Sequence, residues 1–307
     1  MLLPKLLASA DWSVNHAKRR MATAERTSTG AYAVNAPEEV GDVHTLTSRL
    51  QARAGVGQSV LLGFDFPIGL PRHYAKHLGL ETFRASLPIF GKGVWSDFFE
   101  LSDVPSWRQP FSPKDYRKKK SKADLIKALG GSKDRILRHC ERQGKAESLF
   151  FTVGAKQVGR GAIVGWRDVV RPALDDVKIW PFDGPLNELV SESGVTIAEI
   201  YPGAAYAALG VDIGKPGKRK SEQDHRRKAL APLLKHWPLN DAILTHSARS
   251  QFAAGFASED DFDAMVGVLS MLQVAFGLRS SGEPRDDRDV IDIEGWILGL
   301  QHSTTLS

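Results

Sequence analysis

The sequence predicts an α/β fold in which a mixed sheet is flanked by helices. The first observation is the run Val60-Leu61-Leu62-Gly63-Phe64-Asp65, which is apolar on both parities and therefore indicates a buried central strand. The second is the segment 66–71 that follows, where prolines and a glycine end the strand just after the charge. Ligands of open α/β sheets bind beyond such strand ends, so Asp65 is a candidate site residue. A carboxylate that caps the turn is the alternative.

The first strand of the chain ends in the same way. Residues 6–10 are apolar or small and lead directly into Asp11. Strand alternation places Asp11 on the same face as Leu7 and Ser9. Asp11 is therefore a second candidate site residue, and a turn residue ahead of Trp12 is the alternative interpretation.

A third strand carries a carboxylate near its end. Residues 195–201 have strand character, and alternation places Glu199 on the same face as Val195 and Ile197. Three strand-terminal acids in one chain suggest a shared acidic cluster. The alternative for Glu199 is a capping role for a helix that begins near Pro202, because proline favours the first helical turn.

Between these carboxylates the chain predicts a simple order of elements. Residues 17–25 and 30–35 are predicted to form antiparallel strands joined by a turn at 28–30, and residues 43–54 a helix. The strand that ends at Asp65 follows. After a long excursion the core resumes with the strand of Glu199.

A fourth group of acids lies at the start of a C-terminal helix. Ser258 with Asp261 three residues later has the form of a capping box. Asp260 and Asp263 are three residues apart and thus neighbours on one helix face, which continues into the small residue Gly267 and suits close approach to a sheet. Helical spacing assigns the following side chains to the core: Phe262, Met265, Val266, Leu269 and Leu272. For Asp260 and Asp261 the alternative is that acids in a first turn only complement the helix dipole.

The composition is that of an ordinary globular protein. The chain has 307 residues, of which 42% are hydrophobic and 25% charged. No run reaches the roughly 18 apolar residues of a membrane helix, so no membrane partner is expected. The leucine-rich start is interrupted by Lys5 and lacks a preceding basic region, which predicts a strand and not a signal peptide. The single cysteine, Cys140, excludes an internal disulfide and predicts a cytoplasmic protein.

The chain is predicted to form one domain over residues 1–307, with a long, basic, largely helical insertion at 72–193 between two core strands. Residues 107–145 contain 13 Lys or Arg and 4 Asp or Glu, a net charge of +9, whereas the whole chain carries +5. Aromatic residues precede the most basic run, and such a mixture suits a polyanion whose bases can stack. A solvated basic helical hairpin is the alternative.

Two basic clusters are predicted to contact the phosphates of a nucleic acid. One lies in the insertion at 117–122, and the other follows the strand of Glu199 at 215–228. The predicted contact residues are Arg117, Lys118, Lys119, Lys120, Lys122, Lys218, Arg219, Lys220 and Arg226. Contacts of this kind would bind the backbone without reading its sequence.

The order of three strands, a helix, a strand, then a strand and a carboxylate-bearing helix is the ribonuclease H-like order. The chain also resembles the family of domains of unknown function numbered 429, which are predicted nucleases of the ribonuclease H-like fold. The resemblance is carried by G-F-D-F-P-I-G at 63–69, E-I-Y-P at 199–202, D-D-F-D-A at 260–264 and E-G-W-I at 294–297. One position departs from the family pattern, since Trp12 follows Asp11 where a small residue is expected.

The resemblance implies a metal-dependent nuclease that hydrolyses phosphodiester bonds. Clustered carboxylates favour hard cations, so two Mg²⁺ or Mn²⁺ ions are expected. The implied catalytic set is Asp11, Asp65, Glu199 and Asp263, and the implied metal ligands are these four together with Asp260.

Other classes of function fit the sequence less well, and one is retained as an alternative. A non-catalytic nucleic-acid-binding or adaptor protein on the same fold would show binding without metal dependence, and a protein partner is left open. An actin-like phosphotransferase would need glycine-rich phosphate loops that the segments after Asp11 and Asp65 do not offer. No G-x-S-x-G motif is present for a serine nucleophile.

Overall fold

The computed structural model describes residues 3–112, 122–152 and 157–302. An eight-stranded mixed sheet flanked by helices lies at its centre, which confirms the predicted α/β class. The strands are β1 (Leu6–Asp11), β2 (Arg20–Arg26), β3 (Tyr32–Val34), β4 (Glu38–Glu39), β5 (Ser59–Phe64), β6 (Val177–Ile179), β7 (Gly194–Glu199) and β8 (Ala242–Leu244).

The strand order across the sheet is β6-β7-β5-β1-β2-β3-β8, with β4 paired to β2. The four strands from β6 to β1 run parallel, β2 is antiparallel to both of its main neighbours, and β8 is parallel to β3. The central strands β1, β5 and β7 therefore end at the same edge of the sheet, which is where their carboxylates stand.

The helices lie on both sides of this sheet. They are α1 (Leu46–Ala54), α2 (Arg72–His77), α3 (Phe83–Ser86), α4 (Lys122–Leu129), α5 (His139–Gln143), α6 (Val158–Gly165), α7 (Leu186–Leu189), α8 (Pro202–Leu209), α9 (Gln223–Lys235), α10 (His246–Ala254) and α11 (Glu259–Ala275). Short 3-10 turns occupy His16–Lys18, Gly93–Trp95 and Lys133–Ile136, and π-helical turns occupy Trp166–Val170 and Val290–Glu294.

The elements predicted for the first part of the chain are confirmed, with shifted boundaries. Strand β3 covers Tyr32–Val34 instead of 30–35, and α1 begins at Leu46 instead of residue 43. Strand β2 begins at Arg20 instead of residue 17, because Asn15 caps the 3-10 turn and accepts the N–H of Ala17 at 3.1 Å. Polar side chains of this kind favour turns over strands by bonding the nearby backbone.

Two hydrophobic cores cover the two faces of the sheet. On β1, Leu6, Ala8 and Ala10 belong to one core and Leu7 to the other, as strand alternation requires. We call the first the aromatic face, because many phenylalanine and tryptophan rings pack there, and the second the α11 face. Asp11 shares the parity of Leu7, so its side chain lies on the α11 face.

Residues 72–193, predicted as an insertion, supply much of the aromatic face. Phe83, Phe90 and Phe98 are fully buried there together with strand side chains such as Phe64. The same segment contributes β6, which pairs with β7 at the edge of the sheet. Its described part is therefore a packing layer of the domain, and its most basic run, residues 117–121, lies outside the described residues.

Helix α11 crosses the opposite face at very short range. A Cβ atom on Gly267 would lie 2.1 Å from Ser9 Oγ and 2.9 Å from Ile200 Cδ1, so only glycine fits at this crossing. The approach brings the first turns of α11, one helical turn before Gly267, over the end of β1. The short distance between helix and sheet thus places Asp263 beside Asp11.

We expect Gly267→Ala to lower the free energy of unfolding by about 1–3 kcal/mol, because the added methyl group overpacks the crossing. Gly161→Ala in α6 is the matched control, since its Cβ would lie at an ordinary 3.5 Å from Phe66 Cβ. Alanine should be neutral or stabilising there, by up to about 1 kcal/mol. Urea unfolding of both variants measures the difference, and equal stability would show that α11 can move without cost.

Among the helices of the described residues, none combines the length and the apolar character that crossing a membrane requires.

Candidate active site

The candidate site is built at the shared end of β1 and β5. The parallel register pairs Ala10 with Phe64, so Asp11 and Asp65 stand next to each other one position further along. Their carboxyl groups are hydrogen-bonded to each other. Asp65 Oδ1 also accepts the backbone N–H of Trp12 at 2.6 Å, which holds the carboxyl group against the end of β1.

Helix α11 brings two further carboxylates from above. Asp263 is 5% exposed, and its charge acts on both Asp11 and Asp65. Asp260, one turn earlier, is hydrogen-bonded to Asp11. The structure therefore brings together four of the predicted ligands, Asp11, Asp65, Asp260 and Asp263, which we call the carboxylate cluster. Asp261 has a separate role, because it bonds the cap residue Ser258 and pairs with Arg20 at 2.5 Å.

The carboxylate cluster holds protons more tightly than ordinary acids do. Burial raises the pKa of Asp65 to about 7, although hydrogen bonds from Trp12 and Asp11 oppose the shift. Burial and then the charge of Asp65 raise the pKa of Asp11 well above its ordinary value. Burial likewise raises the pKa of both Asp260 and Asp263. Like charges in a poorly solvated site cannot all ionise, so protons remain in the cluster near neutral pH.

Lys220 supplies a positive charge to the cluster. Its ammonium donates to Asp263 and lies 3.7 Å from the Glu259 carboxylate. Burial lowers the pKa of Lys220, but Asp263, Asp11 and Glu259 together raise it above its ordinary value, so the ammonium stays charged. The Tyr206 hydroxyl also donates to Asp263. Asp263 is therefore held by two donors while Asp11 and Asp65 hold each other.

The oxygen atoms of the carboxylate cluster are the type of ligand that a hard cation prefers. The side chains that meet here are carboxylates, which Mg²⁺ and Mn²⁺ prefer, and a cation would displace the retained protons and relieve the repulsion among Asp11, Asp65 and Asp263. Among the described residues, no group of three or more His, Cys, Asp or Glu side chains is arranged around a common metal position. The carboxylates bond to each other and to Lys220 instead, so cation binding would require them to ionise and reorient.

Glu199 was predicted to belong to the carboxylate cluster, and this prediction is corrected because its side chain lies elsewhere. In the register of β5 and β7 it lies opposite Phe64 and shares that residue's face, whereas Asp65 follows on the other face. Its carboxylate accepts the N–H of Ile68 at 2.7 Å and both terminal nitrogens of Arg138, each at 2.7 Å. Glu199 therefore balances a buried arginine on the aromatic face.

Arg138 is the centre of a buried polar network. The side chain is fully buried, and besides Glu199 it donates to Glu141 at 2.9 Å and to the carbonyls of Ile68 and Glu294 at 3.1 Å each. A planar guanidinium can satisfy several acceptors at once, which lysine cannot do. The network joins segment 72–193 to the ends of β5 and β7.

Two glycines of the sequence motifs, Gly69 and Gly295, are required where the backbone segments next to this network pack closely against each other. A Cβ on Gly69 would lie 2.0 Å from the carbonyl oxygen of Glu294, and one on Gly295 would lie 2.3 Å from that of Ile68. Both glycines have positive φ, at 133° and 68°. The motifs at 63–69 and 294–297 thus pack backbone against backbone, and their conformation serves the architecture of the sheet edge.

The predicted nucleic-acid contacts have mixed placements. Arg117, Lys118, Lys119 and Lys120 lie outside the described residues, and Lys122 is the first residue of α4. Lys218 pairs with Asp212, and Arg219 lies 3.5 Å from Glu222. Lys220 lies in the carboxylate cluster. Arg226 is corrected: it is 2% exposed, and its guanidinium donates to backbone carbonyls including that of Gly255 at 2.8 Å.

Several residues of the site were not predicted. Tyr206 lies on α8, whose start at Pro202 the sequence indicates, but the direction of its hydroxyl depends on how α8 packs against α11. Arg138 stands among many other cations of its segment, and no sequence signal marks it. Trp12, which departs from the family pattern, bonds Asp65 through its backbone N–H, and any residue but proline could do this.

Comparison of the chain with protein-family models, with curated proteins and with solved structures finds no significant match. The resemblance stated above therefore stays a prediction, and the functional argument depends on the geometry of the site.

Proposed function

We propose that this protein is a divalent-cation-dependent nuclease with a ribonuclease H-like sheet, which hydrolyses phosphodiester bonds at the carboxylate cluster. The observation that carries the proposal is the junction of Asp11 and Asp65 at the ends of adjacent parallel strands, with Asp263 and Asp260 added by α11. The element order supports the fold assignment: three antiparallel strands, a helix, and then the parallel strands β5 and β7 before the carboxylate-bearing helix.

The carboxylate cluster would hold the cations through Asp11, Asp65 and Asp263, with Asp260 at its rim. Two bound Mg²⁺ or Mn²⁺ ions supply an activated water and stabilisation of the leaving oxygen. The protein's own groups prepare the site. Trp12 holds one oxygen of Asp65 by its N–H, and Tyr206 holds one oxygen of Asp263, which limits how far either carboxylate would have to reorient to bind a cation. The ionised cluster would be strongly acidic, which favours cations over anions.

Lys220 has a defined role in this proposal. Without a cation its ammonium neutralises Asp263. If Asp263 held a cation, the partly exposed Lys220 ammonium would be left to donate its hydrogen bonds to a phosphate of the substrate. One lysine would then act first as a counter-ion and afterwards as a phosphate contact.

The same lysine also favours a second candidate function, a nucleic-acid-binding or adaptor protein without catalysis. A cluster whose charge is balanced by an internal ammonium and shared protons needs no metal ion for stability. This candidate predicts nucleic-acid binding that is insensitive to chelators. The two candidates therefore differ in one measurable property, metal dependence.

We expect Mn²⁺ to raise the Tm of the protein, because a cation that binds the native cluster and not the unfolded chain stabilises the fold by about 2.7 kcal/mol at 100 times its Kd. Thermal unfolding with EDTA, Mg²⁺ and Mn²⁺ measures the shift. Cleavage of labelled single-stranded, double-stranded, hybrid and branched substrates is measured under the same conditions. Ca²⁺ is a useful control, because it often binds carboxylates without supporting the chemistry.

A metal-induced Tm rise together with cleavage supports the nuclease. Nucleic-acid binding with neither a Tm shift nor cleavage on any substrate would contradict it and favour the adaptor.

A further inference from the structure

Arg19 differs from the other buried arginines of the described residues. Three arginines there are at most 2% exposed: Arg19, Arg138 and Arg226. Arg138 and Arg226 donate hydrogen bonds from all three guanidinium nitrogens, whereas both terminal nitrogens of Arg19 are buried without a partner in the described part of the chain. Burial lowers the pKa of Arg19, and the charge of Asp168, which opposes this shift, does not cancel it. A buried charge with unsatisfied donors costs stability, so the position of Arg19 calls for another explanation.

Arg19 closes the loop that connects β1 to β2. It directly precedes β2, and its Nε donates to the carbonyl of Ser13 on the other side of the loop at 2.6 Å. Its guanidinium lies over the Trp12 ring, 4.3 Å from the ring centre, where the face of the ring attracts a cation. Arg19 therefore holds the two residues that follow Asp11, each by a different contact.

The Trp12 side chain is fixed by packing and not by a hydrogen bond of its own. Its indole N–H is buried and has no acceptor among the described residues. The ring packs edge-on against Phe64 and Phe66, the residues on either side of Asp65, with centroid distances of 5.2 and 5.7 Å. The backbone N–H of Trp12 donates to Asp65 Oδ1 at 2.6 Å. A displacement of the ring would therefore move the N–H that holds Asp65.

We propose that Arg19 is a positioning residue, which acts through Trp12 to hold the Asp65 carboxylate where a cation can bind. The proposal takes the role of Asp65 from the proposed function, but the hold of Arg19 on Trp12 can be measured without a metal. It also explains why Arg19 has no acid to balance it. A cation over a ring needs no acid partner, and an acid beside the guanidinium would compete with the ring for its charge.

Arg19→Met tests this hold in EDTA, because methionine fills a similar volume but removes the charge and the Nε donor. We expect hydrogen exchange of the Trp12 amide, followed by NMR, to become about tenfold faster, since the ring contact and the loop hydrogen bond are both lost. The Tm should stay within about 2 °C of the wild type, because removal of an unpaired buried charge offsets the lost contacts.

The Kd for Mn²⁺, measured by titration calorimetry, tests the consequence for the site. It should rise about tenfold in Arg19→Met, as is common when an outer contact of a metal ligand is removed. Two partial variants separate the contacts of Arg19. Arg19→Lys keeps a charge near the ring without the Nε donor, and Arg19→Gln keeps a donor near Ser13 without the charge. Both should lie between the wild type and Arg19→Met in amide exchange and in Kd.

Arg171→Met is the matched control. Arg171 also donates to one backbone carbonyl, that of Phe90 at 2.6 Å, and lies over one aromatic ring, 5.4 Å from the centre of Phe99. It makes the same two kinds of contact but touches neither Trp12 nor the carboxylate cluster. Its replacement should leave both the Trp12 amide exchange and the Kd for Mn²⁺ at the wild-type values.

Trp12 amide exchange at the wild-type rate in Arg19→Met would overturn the proposal, and so would faster exchange with an unchanged Kd for Mn²⁺. Faster exchange together with a fall in Tm on the order of 10 °C would overturn it as well, because it would show a structural role only. If Arg19→Met does not fold, wild-type exchange in both partial variants decides against it. A wild type that binds no Mn²⁺ would remove the proposed function, while amide exchange in EDTA would still decide whether Arg19 holds Trp12 on Asp65.

Discussion

Asp65→Asn is expected to reduce metal-dependent cleavage on the order of 1000-fold or more, while nucleic-acid binding persists. The substitution is nearly isosteric. An asparagine oxygen can still accept the Trp12 N–H, and its amide can donate to Asp11, so the local hydrogen bonds survive. What is lost is one negative ligand between β5 and β1. The cleavage rate and the Mn²⁺-induced rise in Tm, measured on wild type and variant, should fall together.

In EDTA, the stability of the wild type should depend on pH through Asp65, and the same variant should lack this dependence. The pKa of Asp65 is about 7 in the folded protein, above its ordinary value of 3.8, so the native state binds more protons than the unfolded chain between these values. The free energy of unfolding of the wild type therefore decreases, through this group, as pH rises from about 4 to 7. Asp65→Asn removes that loss and should be the more stable protein at pH 8, by on the order of a few kcal/mol.

Asp241→Asn serves as the control, because Asp241 is exposed and its replacement removes a charge away from the cluster. It should change neither cleavage, nor the metal shift, nor the pH dependence. Cleavage by Asp65→Asn at the wild-type rate would exclude Asp65 from catalysis. A stability difference between the wild type and Asp65→Asn that does not vary with pH would show that Asp65 is ionised throughout.

Arg138→Met is expected to lower the free energy of unfolding by about 3–5 kcal/mol, a fall in Tm on the order of 10 °C. Methionine fills a similar volume but leaves the carboxylates of Glu199 and Glu141, 4% and 1% exposed, without their counter-charge. The cost arises from the uncompensated buried acids, since burial makes an unpaired charge unfavourable. Urea unfolding at pH 7 measures it.

Arg53→Met is the matched control, because Arg53 pairs with Glu25 and Glu38 in a partly exposed position and should cost at most about 1 kcal/mol. Adding Glu199→Gln to Arg138→Met should recover part of the loss, since glutamine still accepts the Ile68 N–H without a charge. If Arg138→Met were as mild as Arg53→Met, the buried network would not hold the sheet edge together.

Periodicity and turn residues in the sequence predict the fold class, the first strands and the α11 helix, because these depend on local patterns. They also predict that Asp11 shares a face with Leu7, and Glu199 with Ile197, and both statements hold. Alternation shows which residues of one strand share a face. It does not show whether that face of the sheet is the one that carries Asp11 and Asp65. Glu199 pairs with Phe64 and therefore lies on the aromatic face, away from Asp65. This pairing depends on the register between strands that are far apart in the sequence.

The sequence also does not predict in which direction long charged side chains point. Counting charges groups Lys220 with Lys218 and Arg219, yet Lys220 turns into the carboxylate cluster while its neighbours pair at the surface. Arg226 has the same local sequence character and is buried among backbone carbonyls. A flexible stem lets a charge reach several partners, so tertiary packing decides which one it meets.

The carboxylate cluster unites residues from near the two ends of a 307-residue chain, and this has a consequence during synthesis. Asp11 and Asp65 emerge from the ribosome early, whereas Asp263 follows nearly 200 residues later, roughly 10–40 s at ordinary translation rates. Until α11 packs on β1, the face that carries Ser9 and Asp11 lacks its cover, and the two acids keep the solvation of an open surface. The cluster's raised proton affinity, which depends on burial, therefore appears only when the nascent chain has released its last long helix.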